Sequence, residues 1–165
     1  MMWMLALRYI AMVALVVWIG GLVALGAIAA PVAFDVTASR QLAEPRLVAG
    51  ALFGEMLRRF TLVSYAAGAI MILCLITRRI LGPRPRHFGL RAGIIALMLA
   101  ATAYAGIVVA SRIEALQHEI GGAPSSLAPA DPRRVEFGRL HGLSTALQLI
   151  PLLGGLALIF WEIKE

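Results

Sequence analysis

The fold of this chain is decided by three consecutive stretches: FTLVSYAAGAIMILCLIT (60–77), RRILGPRPRHFGLR (78–91) and AGIIALMLAATAYAGIVVAS (92–111). The first and third contain no Asp, Glu, Lys or Arg, and each is close to the roughly 20 residues that a helix needs to cross a bilayer. Neither alternates like a barrel strand, and lipid offers the backbone no hydrogen-bond partners, so only a helix satisfies it. The three stretches therefore predict two transmembrane helices joined by a short basic link.

Two further runs without charged residues lie outward from this centre, at 9–34 and 142–161. The composition agrees with a membrane protein, since 61% of the residues are hydrophobic and 15% are charged, with a mean hydropathy of +0.87. We expect an all-α fold, an integral membrane four-helix bundle, in a single transmembrane domain over 1–165. The first span should end near Pro31, because proline removes a backbone donor. The predicted spans are 9–31, 60–78, 92–112 and 141–161.

The arginines predict the orientation of these spans. The link at 78–91 carries five arginines and no acid, whereas the other two links mix basic with acidic residues. The positive-inside rule places such a link in the cytoplasm, and an even number of spans then places both termini there. The formal charge of +6 thus reflects membrane orientation and not nucleic-acid binding, for which the chain lacks a binding motif.

Small residues should let the helices approach each other closely, because apolar burial drives little association in lipid. Three groups at near-four spacing are candidates for such packing faces. They are Gly20 with Ala24, the series Ala92, Ala96 and Ala100, and Gly154 with Ala157 or Leu158.

A polar stripe on the last helix is the most promising candidate site. It consists of four residues at three- and four-residue spacing: His141, Ser144, Thr145 and Gln148. Because polar groups are costly in hydrocarbon, we expect the stripe to face protein, as a hydrogen-bond seam or as the wall of a small site. The candidate cofactor-binding residues are His141, Ser144 and Gln148.

His141 could also serve as a metal ligand. Glu114 and His118, four residues apart on the outward extension of the third helix, would lie on the same side of the membrane. The candidate metal ligands are therefore His141, His118 and Glu114, although an ordinary exposed helix pair has the same spacing. The single cysteine, Cys74, excludes a disulfide or a CxxC site within the chain.

The sequence contains no complete catalytic constellation. No nucleophile lies beside a base, no carboxylates are paired at suitable spacing, and no glycine loop could hold a phosphate. The four charge-free runs within these spans contain no Asp, Glu, Lys or Arg, which disfavours an ion pathway. We expect no catalytic residues and a non-catalytic membrane module, an accessory or structural subunit of a larger membrane assembly. Its partners would be the lipid bilayer and other membrane subunits or further copies of the chain.

Several motifs resemble a known family: WIGG (18–21), APVAF (30–34) and, most specifically, FGRLHGLS (137–144). They resemble the small four-helix family of bacterial membrane proteins related to the eukaryotic transmembrane protein linked to cisplatin resistance. More distantly they are similar to a CopD-like superfamily that includes copper-resistance proteins and HemJ-type protoporphyrinogen oxidases. The resemblance implies a four-helix bundle in a bacterial inner membrane with a functional end near His141. It also implies the alternative function, a heme b- or copper-binding redox or metal-handling protein that uses His141.

Overall fold

The protein consists of four long helices that cover almost all of the chain. In the computed structural model, residues 2–40, 42, 44–82 and 85–164 are described. Helix α1 spans Met2–Ser39, α2 Pro45–Leu81, α3 Phe88–Ile120 and α4 Pro132–Ile163, with a 3₁₀ turn at Pro124–Ser126. All four are long and apolar enough to cross a membrane. The predicted all-α four-helix membrane fold is confirmed, and no strand occurs among the described residues.

The helices extend beyond the predicted spans at one end of the bundle. Helix α2 begins at Pro45, α3 continues to Ile120 and α4 begins at Pro132. At the start of α4, Asp131 Oδ1 accepts a hydrogen bond from the backbone N–H of Arg133 at 2.9 Å, as expected of a helix N-cap. The extensions are more polar than the spans, so the helices project past the apolar part of the bundle.

The prediction that the first helix ends near Pro31 is wrong. The segment Leu25–Ala29 is π-helical, and α-helix resumes at Ala30–Ser39. The N–H of Ala30 donates to the carbonyl of Leu25 instead of that of Gly26. This hydrogen bond reaches back five residues instead of four, at the residue directly before the proline. A π turn shifts the regular hydrogen-bond pattern at a position where proline supplies no donor, and the helix continues through it.

Each helix packs against the next one along the chain, and α4 returns to α1 to close the bundle. Each seam contains a glycine whose Cβ, if present, would collide with the facing helix or press tightly against it. Such close approach is the usual way for helices to associate in lipid. The seams are Gly21 against Phe60, Gly68 against Leu99, Gly154 against Ile94 and Met98, and Gly155 against Leu15 and Ile19.

Only part of the predicted small-residue packing matches these seams. Gly154 packs against α3 as expected. In contrast, Gly20 has nothing within 4 Å of the place where its Cβ would lie, and Ala24, Ala96 and Ala100 are exposed. On the first helix, Gly21, one residue after Gly20, is the position that turns towards α2.

The apolar core lies in the part of the bundle where all four helices meet. Trp18 and Met98 are completely buried at its centre. Around them pack Leu15, Ile19, Ala67, Met71, Leu75, Ile95 and Leu158. The core continues towards the end of the bundle that holds the start of α1 and the end of α4, where a cluster of charged side chains closes it.

Candidate functional site

The charged cluster is centred on Glu162, near the end of α4. Its carboxylate accepts hydrogen bonds from one arginine of each of the other three helices. Arg8 Nε lies 2.7 Å from Oε1, Arg78 Nη1 lies 3.1 Å from the same oxygen, and Arg91 Nη1 lies 2.7 Å from Oε2. Arg8 Nη2 also donates to the backbone carbonyl of Glu162 at 2.9 Å. One carboxylate therefore connects all four helices, and we call this end of the bundle the Glu162 end.

The cluster is largely removed from solvent. The side chains of Arg78 and Arg91 are 7% and 5% exposed, and that of Glu162 is 15% exposed. Arg8 is more open, at 33%. Buried charges are tolerated when they are paired and hydrogen-bonded, and loss of one partner leaves an uncompensated charge behind. Glu162 therefore has a structural role that an exposed carboxylate could not have.

A cavity of about 40 Å³ lies directly beside this cluster. Its polar wall is formed by Arg78, Arg91 and Glu162, and the rest is apolar: Ala11, Met12, Leu15, Met71, Leu75, Ile95 and Leu158. The volume is enough for a small number of water molecules. The lining contains no hydroxyl, thiol or imidazole, and its polar groups are the paired guanidinium and carboxylate groups of the cluster.

A second, larger pocket opens at the same end between α3 and α4. It has a volume of about 180 Å³ and is lined by Arg86, His87, Arg91, Trp161 and Lys164. Arg91 contributes to both cavities. The pocket thus continues the charged cluster outward to the surface of the bundle.

Sequence reasoning used the arginines of this end only for orientation and did not single out Glu162. A signal was nevertheless present. The segments 1–8 and 78–91 contain no acid, so the only acids at this end are Glu162 and Glu165. Because buried arginines require a carboxylate, an acid in the last turn of the fourth helix was the natural partner for them.

The predicted polar stripe lies near the start of α4, at what we call the His141 end. His141 is exposed, and its ring stacks on Phe137 with 6.3 Å between centroids and an interplanar angle of 7°. Thr145 is also exposed, and its hydroxyl donates to the carbonyl of His141 in its own helix. Ser144 and Gln148 are half-buried. The expectation that the whole stripe faces protein is wrong within this chain, because α4 turns His141 and Thr145 outward.

The predicted metal ligands are not brought together as a set. Glu114 and His118 are exposed near the end of α3, and nowhere in the described part of the chain do three His, Cys, Asp or Glu side chains form a group that could hold a metal ion. A protein-built copper site of that kind is therefore not supported by the donor set. The prediction that His141 is a heme b ligand stays a prediction, as do Ser144 and Gln148 as cofactor contacts.

The comparison with known families provides the wider context. Residues 13–121 match the family described as Domain of unknown function (DUF4149). The chain belongs to this family. No curated protein and no solved structure matches it. The DUF4149 match includes most of α1 and all of α2 and α3, with Arg78 and Arg91, whereas α4 with Glu162 lies beyond it. The description of this family names no activity, and the resemblances to the cisplatin-resistance and CopD-like families stay predictions.

Proposed function

We propose that this DUF4149 protein is a non-catalytic integral membrane module that assembles with other membrane-embedded helices through the outward face of α4 at the His141 end. The partner is another subunit or a second copy of the chain. The observation that carries the proposal is the position of Gln148, whose side chain makes no hydrogen bond to any described residue.

Gln148 lies deep in the apolar part of α4. It follows Arg139 by nine residues and precedes Glu162 by fourteen, which correspond to about 14 Å and 21 Å along a helix. An amide at that depth is stabilised by a hydrogen bond to another helix, because lipid offers none. His141 lies two turns away on the same side of α4, so the two residues define a polar face that a partner helix would cover.

The closed interior of the bundle supports the same proposal. The centre of the bundle is filled by apolar side chains around Trp18 and Met98, and the carboxylate of Glu162 pairs with one arginine from each of the other three helices. The cavity beside the cluster is small and is lined by no hydroxyl, thiol or imidazole. These features are those of a structural unit, whereas His141 and Thr145 on α4 are exposed and Gln148 is half-buried.

Site-specific photo-crosslinking in native membranes tests the proposal. A photo-crosslinking amino acid placed at position 148 should give a discrete adduct of fixed mass, with a second copy or with another membrane protein. Position 153 is the matched control, because Leu153 is 63% exposed and lies about 140° around the same helix. It should give lipid adducts only. Equal, lipid-only products from both positions would overturn the proposal.

We further propose that the membrane is the inner membrane of a bacterium and that the Glu162 end faces the cytoplasm. The structure supports a common side, because residues near both chain ends, Arg8 and Glu162, meet there with the 78–91 link. In a Cys74→Ala background, an impermeant maleimide should label His118→Cys on intact cells and Arg86→Cys only after permeabilisation. The reverse pattern would invert the orientation.

A further inference from the structure

The Glu162 end carries far more positive than negative charge. The segments 1–8, 78–91 and 162–165 contain seven basic and two acidic residues, whereas the rest of the chain has eight basic and seven acidic ones. Two acids cannot compensate seven cations, whatever pairs they form. This end therefore carries a net positive charge that attracts anions, and the bilayer surface beside it is a source of them.

Part of this charge surrounds a defined space, the pocket of about 180 Å³ between α3 and α4. Arg86, Arg91 and Lys164 supply its cationic groups, and Trp161 supplies an aromatic wall. Trp161 ends the charge-free run of α4, which is the level where indole rings mark the boundary between hydrocarbon and headgroups. The pocket thus lies where a lipid headgroup would reach it.

The pocket also lies at the N-terminus of α3. Its lining includes His87, the N-cap residue, which has a left-handed backbone with φ of 54° and provides no side-chain cap to the helix. The first N–H groups of a helix have no partner within it and carry partial positive charge. Together with the neighbouring cations they favour a phosphate group.

We propose that this pocket binds the phosphate headgroup of an anionic phospholipid, with Arg86, Arg91 and Lys164 as its cationic contacts. A lipid is favoured over a dissolved phosphate because the pocket opens at the level of Trp161, beside the apolar surface of α3 and α4, where acyl chains can lie. The site is independent of the assembly face, which lies at the other end of the bundle.

Native mass spectrometry of the full-length protein in detergent tests the proposal. Titration with phosphatidylglycerol should give a preferred adduct of one lipid, whereas phosphatidylcholine and inorganic phosphate should give none with that preference. Arg86→Gln and Lys164→Gln should each weaken the phosphatidylglycerol adduct by at least about tenfold, the scale of a lost charged hydrogen bond. Circular dichroism confirms that each variant retains its helices.

Arg79→Gln is the matched control, because Arg79 lies in the same basic link but does not line the pocket. It should weaken lipid binding by no more than about fivefold, the effect of one surface charge. Equal binding of both phospholipids, or an equal loss for Arg79→Gln and the pocket variants, would overturn the proposal. Binding of inorganic phosphate with the same variant dependence, without a lipid adduct, would overturn its assignment to a lipid.

Discussion

The two ends of the bundle use the same ion pair, arginine with a carboxylate, in opposite ways. At the Glu162 end, one carboxylate binds arginines that are 154, 84 and 71 residues away in the chain. At the His141 end, Glu55 binds Arg58 and Arg59, three and four residues further along its own helix. The first arrangement holds the four helices together, whereas the second joins neighbouring side chains on the surface of one helix.

The two ends therefore differ in whether ion pairs connect the helices to one another. Ion pairs near the His141 end are local in the described part of the chain, and there the end of α1 packs on α2 while the end of α3 packs on α4. His141 and Thr145 of α4 are exposed at this end, whereas Ser144 and Gln148 are half-buried. The molecule is thus held together by ion pairs between helices at the Glu162 end, and the assembly face that we propose lies at the His141 end.

The largest expected effect comes from Glu162→Gln. The change keeps the size of the side chain but leaves two buried guanidinium groups without their shared negative charge, so we expect a loss of about 3–5 kcal/mol of stability. Thermal unfolding in mild detergent, followed by circular dichroism, measures it. Glu55→Gln is the matched control at the other end, and its unfolding temperature should stay close to that of the parent because its partners are exposed.

An equal shift for the two variants would contradict this comparison. It would mean that an ion-pair cluster connecting four helices contributes no more to the stability of the bundle than an ion pair on the surface of one helix.

The next effect tests the glycine seam between α1 and α4. Gly155→Leu would force its side chain into Leu15 and Ile19, and overpacking of this kind costs about 1–3 kcal/mol. Gly20→Leu is the control, because Gly20 has nothing within 4 Å of its Cβ position. The same unfolding measurement should separate them, and equal tolerance would show that the seam is not tightly packed.

The general architecture could be predicted from the sequence because it depends on few, strong signals. Charge-free runs of about bilayer length predict the helices. The positions of the arginines, with an even number of spans, predict that both chain ends lie on the same side as the 78–91 link. The continuation past Pro31 could not be predicted, since it depends on a π turn at Leu25–Ala29. The rotation of the first helix about its axis could not be predicted to one residue either, because Gly21 packs at the seam where Gly20 was expected to pack.

The candidate sites were harder to predict, for a different reason. The four members of the charged cluster are far apart in sequence, and each alone looks like an ordinary interfacial residue that marks the end of a span. Only the meeting of four helix ends makes Glu162 their common partner. The stripe at His141 was visible in the sequence, but its periodicity defines one face of α4 and cannot say whether that face turns inward.

A smaller effect is expected from substitutions of His141, and they distinguish a residue that contacts a partner helix from a residue that binds heme or a metal. If His141 only contacts a partner helix, His141→Gln should preserve assembly, while His141→Leu should weaken it by about 1 kcal/mol, the scale of an interhelical hydrogen bond. Crosslinking yield at position 148 measures the assembly. If His141 is a heme or metal ligand, both changes should abolish the bound species, as judged by the visible spectrum and metal analysis.

The smallest effect concerns Asp131, which caps α4 at the His141 end. Hydrogen bonds from the Arg133 side chain and backbone lower the pKa of this carboxyl below its ordinary value. Its contribution is therefore complete above the ordinary carboxyl pKa and is lost as the pH falls through the lowered one. Hydrogen exchange at the amides of Arg133 and Val135 should accelerate in acid relative to the intrinsic rate.

Asp131→Asn keeps a cap of similar quality without the charge, so the first turn of α4 in this variant should lose the acid dependence. An acid dependence that persists in Asp131→Asn would mean that another group controls the start of α4.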